Sequence, residues 1–213
     1  MIRCVVFDLD GTLADTSGDL AVAMNHVLRT FKKPEKPSGL LTSYIGDGLE
    51  TYLSRAFDTD DKDVIARAKP VYLEYYRSHL VVETRLYPGV AETLESLKEK
   101  GISCFVLSNK PEEFIKPIVE RLGVAGFFTE SFGQYRFERN KPDPQGLNYI
   151  MDKYGFARDE TIIVGDNHTD IEAARNAGVR SVFCSFGLGE TGSSKPDFTI
   201  SGMTELLKIV GSI

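Results

Sequence analysis

The chain has 213 residues and a formal net charge of −6, with 42% apolar and 26% charged residues. This composition is that of a folded globular protein and excludes a disordered or fibrous chain. The negative charge offers no broad basic surface, and no apolar run reaches the roughly 18 residues of a membrane helix, so we expect neither nucleic-acid binding nor membrane insertion.

The first residues and the cysteines favour a cytoplasmic location. The opening segment reaches Asp8 without the basic and long apolar regions of a secretory signal. Cys4, Cys104 and Cys184 are odd in number, widely spaced and embedded in strand-like runs, which predicts buried thiols rather than disulfides. We therefore expect a cytoplasmic protein, with monomer and homodimer both open.

Short apolar runs alternate with helical patterns along most of the chain. The run at residues 4–7 stops at Asp8, as a buried parallel strand does where it meets a polar loop. Further strands are predicted at 102–107, 127–132, 161–164 and 181–184. Helices are predicted at 90–100, 112–122, 144–154 and 170–177, each followed by a glycine suited to a helix C-cap. This alternation predicts an α/β fold with an open parallel sheet between two layers of helices.

The stretch from residue 15 to about residue 80 breaks this alternation. Its apolar spacings, for example from Leu20 to Phe31, follow the helical period. The segment Tyr87-Pro88-Gly89 marks the return to the sheet. We therefore predict two units, a sheet core of residues 1–14 and 81–213 and an all-helical insertion of residues 15–80.

The first polar cluster is Asp8-Leu9-Asp10-Gly11-Thr12, directly after the first predicted strand. Two carboxylates two residues apart suit two different tasks. Asp8 can act as a nucleophile, while Asp10 protonates a leaving group and later takes a proton from water. The alternative is that both are turn and capping residues.

Two further clusters suit the binding of an anion. Ser108 and the backbone amide of Asn109 follow the second strand, where a helix N-terminus helps to hold a phosphoryl oxygen. Lys141 precedes a proline-rich turn and can neutralise phosphoryl charge. The alternatives are plain N-capping by Ser108 and a solvated lysine.

The fourth cluster, residues 165–170, supplies candidate metal ligands. Asp166 lies nearest the strand end, and carboxylate oxygens together with phosphate and water suit Mg²⁺. Asp170 either supports metal-bound water or orients Lys141, and capping of the following helix is a further alternative. All four clusters follow predicted strands, where open α/β sheets place their ligands.

These motifs, in this order and with a helical insertion after the first, closely resemble the haloacid dehalogenase superfamily of phosphohydrolases over essentially the whole chain. The resemblance implies the strand order 5-4-1-2-3, a helical cap, and hydrolysis of a small phosphorylated metabolite through an aspartyl-phosphate at Asp8. It also implies a Mg²⁺ ion on Asp8, the backbone carbonyl of Asp10 and Asp166. The residues expected to bind phosphate are Gly11, Ser108, Asn109 and Lys141.

The segment of the cap around Gly46-Asp47-Gly48, followed by Arg55, resembles phosphoglycolate phosphatases. This makes 2-phosphoglycolate the expected substrate and these four residues candidate substrate contacts, although a tight turn also explains the glycines. A sugar phosphomutase and a nucleotide or pyrophosphate phosphatase share the same four motifs. A catalytically silent phosphate-binding protein is the alternative outside the enzymes, and the intact motifs argue against it.

Overall fold

The computed structural model describes residues 1–212. Its strands are β1 (Cys4–Phe7), β2 (Ala14–Asp15), β3 (Arg85–Leu86), β4 (Ser103–Pro111), β5 (Phe128–Gln134), β6 (Thr161–Gly165), β7 (Arg180–Cys184) and β8 (Phe198–Ile200). Its α-helices are α1 (Ser17–Thr30), α2 (Ser38–Thr42), α3 (Leu49–Phe57), α4 (Lys62–Ser78), α5 (Val90–Glu99), α6 (Glu112–Arg121), α7 (Gln145–Tyr154), α8 (His168–Ala177) and α9 (Leu206–Ser212). Across this part of the chain, no helix combines the length and apolar character needed to cross a membrane.

The main sheet is parallel and has the strand order β5-β4-β1-β6-β7-β8. The predicted α/β class is confirmed, and the five predicted strands stand in the predicted relative order. A sixth strand, β8, extends the sheet beyond β7 and was not predicted. Its three residues are too few to show a periodic pattern in the sequence.

Helices cover both faces of the sheet and bury β1 completely. Val5 and Phe7 enter the apolar cluster that contains side chains of α5, α6 and α9, whereas Cys4 and Val6 enter the cluster formed with α7 and α8. This two-sided burial explains why β1 is a continuous apolar run rather than an alternating one. The three cysteines are free and buried, as predicted, and burial raises the pKa of Cys4 to about 12.

The four helices α1 to α4 occupy the chain between β2 and β3. These two short strands pair antiparallel, with Ala14 opposite Leu86 and Asp15 opposite Arg85, so both connections to the helical segment run side by side. We propose this ribbon as the boundary between the sheet core and the helical insertion.

Asp19 fixes the first turn of α1 to the segment that leads back into the sheet. Its buried carboxylate accepts hydrogen bonds from the backbone N–H groups of Val82, Glu83 and Thr84, at 2.9 to 3.1 Å, and from the Thr84 hydroxyl at 2.7 Å. Burial alone would raise the pKa of Asp19, but these hydrogen bonds hold it below its ordinary value.

We expect Asp19→Ala to lower the free energy of unfolding by about 2 to 4 kcal/mol at pH 7, because four donors, of which the two on Thr84 are buried, lose a charged acceptor. The folded-state pKa is depressed, so the stabilisation is present above the unfolded pKa of about 4 and is lost as pH falls through the folded value. Urea unfolding of the wild-type and variant proteins at pH values from about 7 to about 2.5 measures this. A difference that is absent at pH 7, or equal to that of the exposed Asp152→Ala, would contradict the prediction.

Candidate active site

The polar clusters meet at one edge of the sheet because β4, β1 and β6 are neighbours. Asp8 directly follows β1, Asp166 directly follows β6, and Ser108 lies in the last residues of β4. Gly11 has φ +83°, and a Cβ atom there would lie 2.0 Å from Asp166 Oδ2. Glycine therefore lets the turn after Asp8 approach Asp166 closely.

Strand β4 is longer than predicted and ends at Pro111 rather than at residue 107. Its pairing with β5 shifts register between Leu107 and Pro111. Ser108, Asn109 and Lys110 therefore lie in an irregular strand end instead of a loop after it. Such irregularities redirect side chains, and here all three are buried beside Asp8 and Asp10.

Lys141 links two carboxylates at the centre of the site. Its Nζ lies 3.2 Å from Asp8 Oδ1 and 2.6 Å from Asp170 Oδ1, and all three side chains are buried. Burial raises the pKa of Asp8 to about 6; the charges of Asp170 and Asp10 add to this rise, and Lys141 opposes it. Burial would lower the pKa of Lys141, but Asp170 and Asp8 raise it, so the lysine is an ammonium group.

Asp170 makes two of the three contacts considered from the sequence. Its Oδ1 accepts from Lys141, and its Oδ2 accepts from the backbone N–H of Asn167 at 3.1 Å, within a capping box at the start of α8. Asp170 therefore orients Lys141 and caps α8 at the same time.

Asp166 is held by donors on both oxygens. The Thr12 hydroxyl donates to Oδ1 at 2.9 Å, and the backbone N–H groups of Leu188 and Gly189 donate to Oδ2 at 2.8 Å. Burial raises the pKa of Asp166 to about 7, and the nearby charges of Asp8 and Asp170 add to the rise. The loop after β7 was not among the predicted site residues, because no motif in it signals this contact.

The charges of the site fit a divalent cation. Asp8, Asp166 and Asp170 each offer a carboxylate oxygen, and these oxygens lie within 4.8 Å of one another. Together with Asp10, the site has four acidic side chains, and two lysines, Lys110 and Lys141, pair with them. When all six groups are ionised, two negative charges have no partner. The Lys141 ammonium group lies closer to Asp170 than to Asp8, and the donors on Asp166 are all neutral, so Asp8 and Asp166 are the better ligands. Hard carboxylate oxygens suit Mg²⁺.

Asp10 pairs with a lysine to which the sequence interpretation gave no role. Lys110 Nζ lies 2.9 and 3.1 Å from the two oxygens of Asp10, and the Thr16 hydroxyl donates to Asp10 Oδ1 at 2.7 Å. Burial would lower the pKa of Lys110, but Asp10 and Tyr76 raise it above its ordinary value. Lys110 directly follows Ser108 and Asn109 in the chain, so its position beside the site could have been inferred from the sequence.

A cavity of about 50 Å³ adjoins Asp8 between the sheet edge and the helical segment. The lining residues from the sheet side are Asp8, Asp10, Ser108, Asn109, Lys110, Pro111 and Phe114, and those from the helical segment are Leu20, Ile45, Gly46, Gly48, Leu49, Tyr52, Tyr72 and Tyr76. The Asn109 side chain donates to the Gly46 carbonyl at 2.8 Å and so ties the two sides together.

The four predicted substrate contacts of the helical segment divide into two pairs. Gly46 and Gly48 line the cavity. A Cβ atom at Gly46 would lie 2.4 Å from the Asn167 side-chain nitrogen, so close approach explains that glycine. Asp47 and Arg55 lie outside the cavity lining and bind each other at 2.6 Å, with His168 Nε2 3.6 Å from Asp47.

Comparison with known proteins gives the family of this chain. The model of the family described as "Haloacid dehalogenase-like hydrolase" matches residues 5–184. The chain belongs to the haloacid dehalogenase-like hydrolases. The resemblance recognised in the motifs is thus confirmed, and with it the predicted enzyme class of a phosphoric monoester hydrolase.

Individual hydrolases of this family are similar to this chain over nearly their whole length. A phosphoglycolate phosphatase of Vibrio parahaemolyticus is 34% identical, covering 98% of this chain and 96% of that protein. A phosphoglycolate phosphatase of Aquifex aeolicus is 35% identical, covering 98% of this chain and 97% of that protein. A crystal structure described as a predicted phosphoglycolate phosphatase from Haemophilus somnus has a TM-score of 0.92 at 32% identity, with 98% and 97% covered.

Proposed function

We propose that this hydrolase cleaves 2-phosphoglycolate to glycolate and phosphate, with Mg²⁺, through an aspartyl-phosphate on Asp8. The observation that carries the proposal is the position of the Asp8 carboxylate. It lies at the end of the central strand, in contact with Lys141 and beside Asp166. A carboxylate with one adjacent cation and a neighbouring metal site suits attack on an anionic phosphate.

In the first step, an Asp8 oxygen bonds to phosphorus and the bond from phosphorus to the ester oxygen breaks. As the general acid of this step, Asp10 gives a proton to the leaving alkoxide. Lys141 and the Ser108 hydroxyl hold phosphoryl oxygens, and Asp170 keeps Lys141 in place. Asp8 and Asp166 would hold Mg²⁺, and its positive charge would offset repulsion between Asp8 and the phosphate.

In the second step, water attacks the phosphorus of the aspartyl-phosphate. Asp10, now a carboxylate, takes a proton from this water, and the bond from phosphorus to the Asp8 oxygen breaks. Inorganic phosphate leaves, and Asp8 and Asp10 return to their starting states. The pairing of Asp10 with Thr16 and Lys110 keeps its side chain directed at the site through both steps.

The size of the cavity supports a small leaving group. A volume of about 50 Å³ holds about three to five water-sized groups. A glycolate moiety adds two carbons and two carboxylate oxygens beyond the ester oxygen, whereas a nucleoside or a hexose is several times larger. The names of the relatives from Vibrio parahaemolyticus and Aquifex aeolicus point to the same ester.

Phosphate release from a panel of phosphoglycolate, hexose phosphates, nucleotides and pyrophosphate tests this function. We expect phosphoglycolate to have the highest kcat/KM, and chelation by EDTA to lower the rate by at least about 10³-fold, because removal of the cation leaves the carboxylates to repel the substrate. Added Mg²⁺ should restore the rate. Phosphate release that EDTA does not change, or no phosphate release from any ester, would contradict the proposal.

A further inference from the structure

Lys110 is an unusual residue for the floor of a small cavity. Its side chain is 2% exposed, its Nζ lies 4.8 Å from the centre of the Tyr76 ring, and Asp10 is its ion-pair partner. Burial of an ammonium group is costly unless its protons are satisfied. Two of its three protons are directed at the Asp10 oxygens, at 2.9 and 3.1 Å, so its third proton remains for Tyr76 or for a ligand.

Two tyrosine hydroxyls beside the same cavity have no protein partner. Tyr52 and Tyr76 are 5% and 1% exposed and both line the cavity, yet neither hydroxyl oxygen makes a hydrogen bond within residues 1–212. Buried hydroxyls are nearly always paired, because an unpaired one loses its hydration without compensation. These two side chains belong to different helices, α3 and α4, so a single local irregularity does not explain both.

Three donors lie beside this part of the cavity. Lys110 has one proton that is not directed at Asp10, and the Tyr52 and Tyr76 hydroxyls can each donate one, whereas Asp10 already accepts from Lys110 and Thr16. Leu20, Leu49 and Phe114 contribute apolar surface to this part of the wall, and Tyr72 packs between Tyr52 and Tyr76. An apolar pocket with one cation and two hydroxyl donors has the chemistry of a site for a compact anion.

We infer that Lys110, Tyr52 and Tyr76 bind the carboxylate of the substrate and thereby determine which phosphate ester the enzyme accepts. This inference rests on the proposed function, since it concerns the part of the ester that is not transferred. Three donors meet the two oxygens of a carboxylate, while Ser108 and Lys141, which both contact Asp8, hold the phosphoryl group. The substrate class is accordingly a short phosphorylated acid with the two anions separated by one carbon.

Binding of two non-hydrolysable probes tests the inference directly. 3-Phosphonopropionate replaces the ester oxygen of phosphoglycolate by a methylene group, and propylphosphonate has the same chain without the carboxylate. We expect wild-type protein with Mg²⁺ to bind the first at least about 30-fold more tightly in isothermal titration calorimetry. In Lys110→Met this preference should fall to about threefold or less.

Three variants keep the test interpretable. Tyr76→Phe and Tyr52→Phe preserve shape and should each lower the preference by about fivefold, which tests the site even where Lys110→Met folds poorly. Lys153→Met removes a lysine that pairs with Glu130, at 2.5 Å, on another part of the sheet, and should leave the preference unchanged. Equal binding of both probes by wild-type protein, or a preference that survives Lys110→Met and both tyrosine substitutions, would overturn the inference.

The experiments distinguish failure of the carboxylate site from failure of the proposed function. If wild-type protein releases phosphate from ethyl phosphate and phosphoglycolate equally well, and needs Mg²⁺ for both, the phosphatase stands and the carboxylate site fails. If no ester is hydrolysed but the probe preference disappears in Lys110→Met, the anion site stands and the proposed function fails.

Discussion

Asp8→Asn is expected to lower phosphate release from 2-phosphoglycolate by at least about 10⁴-fold. The amide has nearly the same shape as the carboxylate but no negatively charged oxygen with which to form the acyl-phosphate bond. The neighbouring groups that bind phosphate stay in place, so the loss should appear in kcat, and 3-phosphonopropionate should still bind. Single-turnover measurements with saturating substrate distinguish this loss from a loss of affinity.

The fold should survive this substitution. Asp8 is a buried carboxylate whose pKa is raised by burial and by the charges of Asp170 and Asp10, so replacement by a neutral group removes repulsion. We expect a Tm equal to or above that of the wild-type protein without metal. Asp152→Asn, an exposed change on α7, serves as the control with full activity. Substantial turnover by folded Asp8→Asn would exclude the aspartyl-phosphate route.

Lys141→Met should have the second largest effect, a loss of about 10³-fold in kcat/KM. The ammonium group contacts both Asp8 and Asp170, and without it the nucleophile faces an anionic phosphate with less positive charge nearby. Because the cation is buried and aligned, free ammonium ions or salt in solution should not restore the rate. Steady-state kinetics across a range of Mg²⁺ concentrations tests this, since additional metal should not compensate for the lysine.

Lys141→Arg separates charge from geometry. The Nζ atom is held between two carboxylates at 3.2 and 2.6 Å, so a larger planar guanidinium does not fit the same space, and we expect it to recover less than about a tenth of the lost activity. Lys153→Met provides the control for loss of an ion-paired lysine outside the site. Near wild-type kinetics in folded Lys141→Met would contradict a role in phosphoryl transfer.

Much of the sheet could be predicted from the sequence because buried parallel strands leave a strong signal. Strands β1, β6 and β7 are apolar runs with clear ends, and the glycines after α7 and α8 have the positive φ angles expected of helix caps. Strand β8 has too few residues for a pattern. The extension of β4 to Pro111 depends on a register shift against β5, which arises from the packing of two distant segments.

The predicted site residues of the sheet lie together, since the carboxyl ends of adjacent strands share one edge. Asp8, Lys141 and Asp166 follow from that rule and from the local motifs. The position of Arg55 could not be predicted in this way, because helical periodicity alone does not indicate which face of α3 meets the sheet. The contact of Lys110 with Tyr76 was equally hidden, since it depends on how α4 packs over the end of β4.

The central position of β1 has a consequence for how the molecule reaches its native state. Residue 4 pairs with residue 103 on one side and with residue 161 on the other. Pairings between such distant segments form slowly, whereas the contacts among α1 to α4 are local and form early. During synthesis, the strand that precedes the nucleophile therefore leaves the ribosome well before its partners β4 and β6, and it stays apolar and unpaired until they follow. Acquisition of activity should accordingly coincide with the last step of folding.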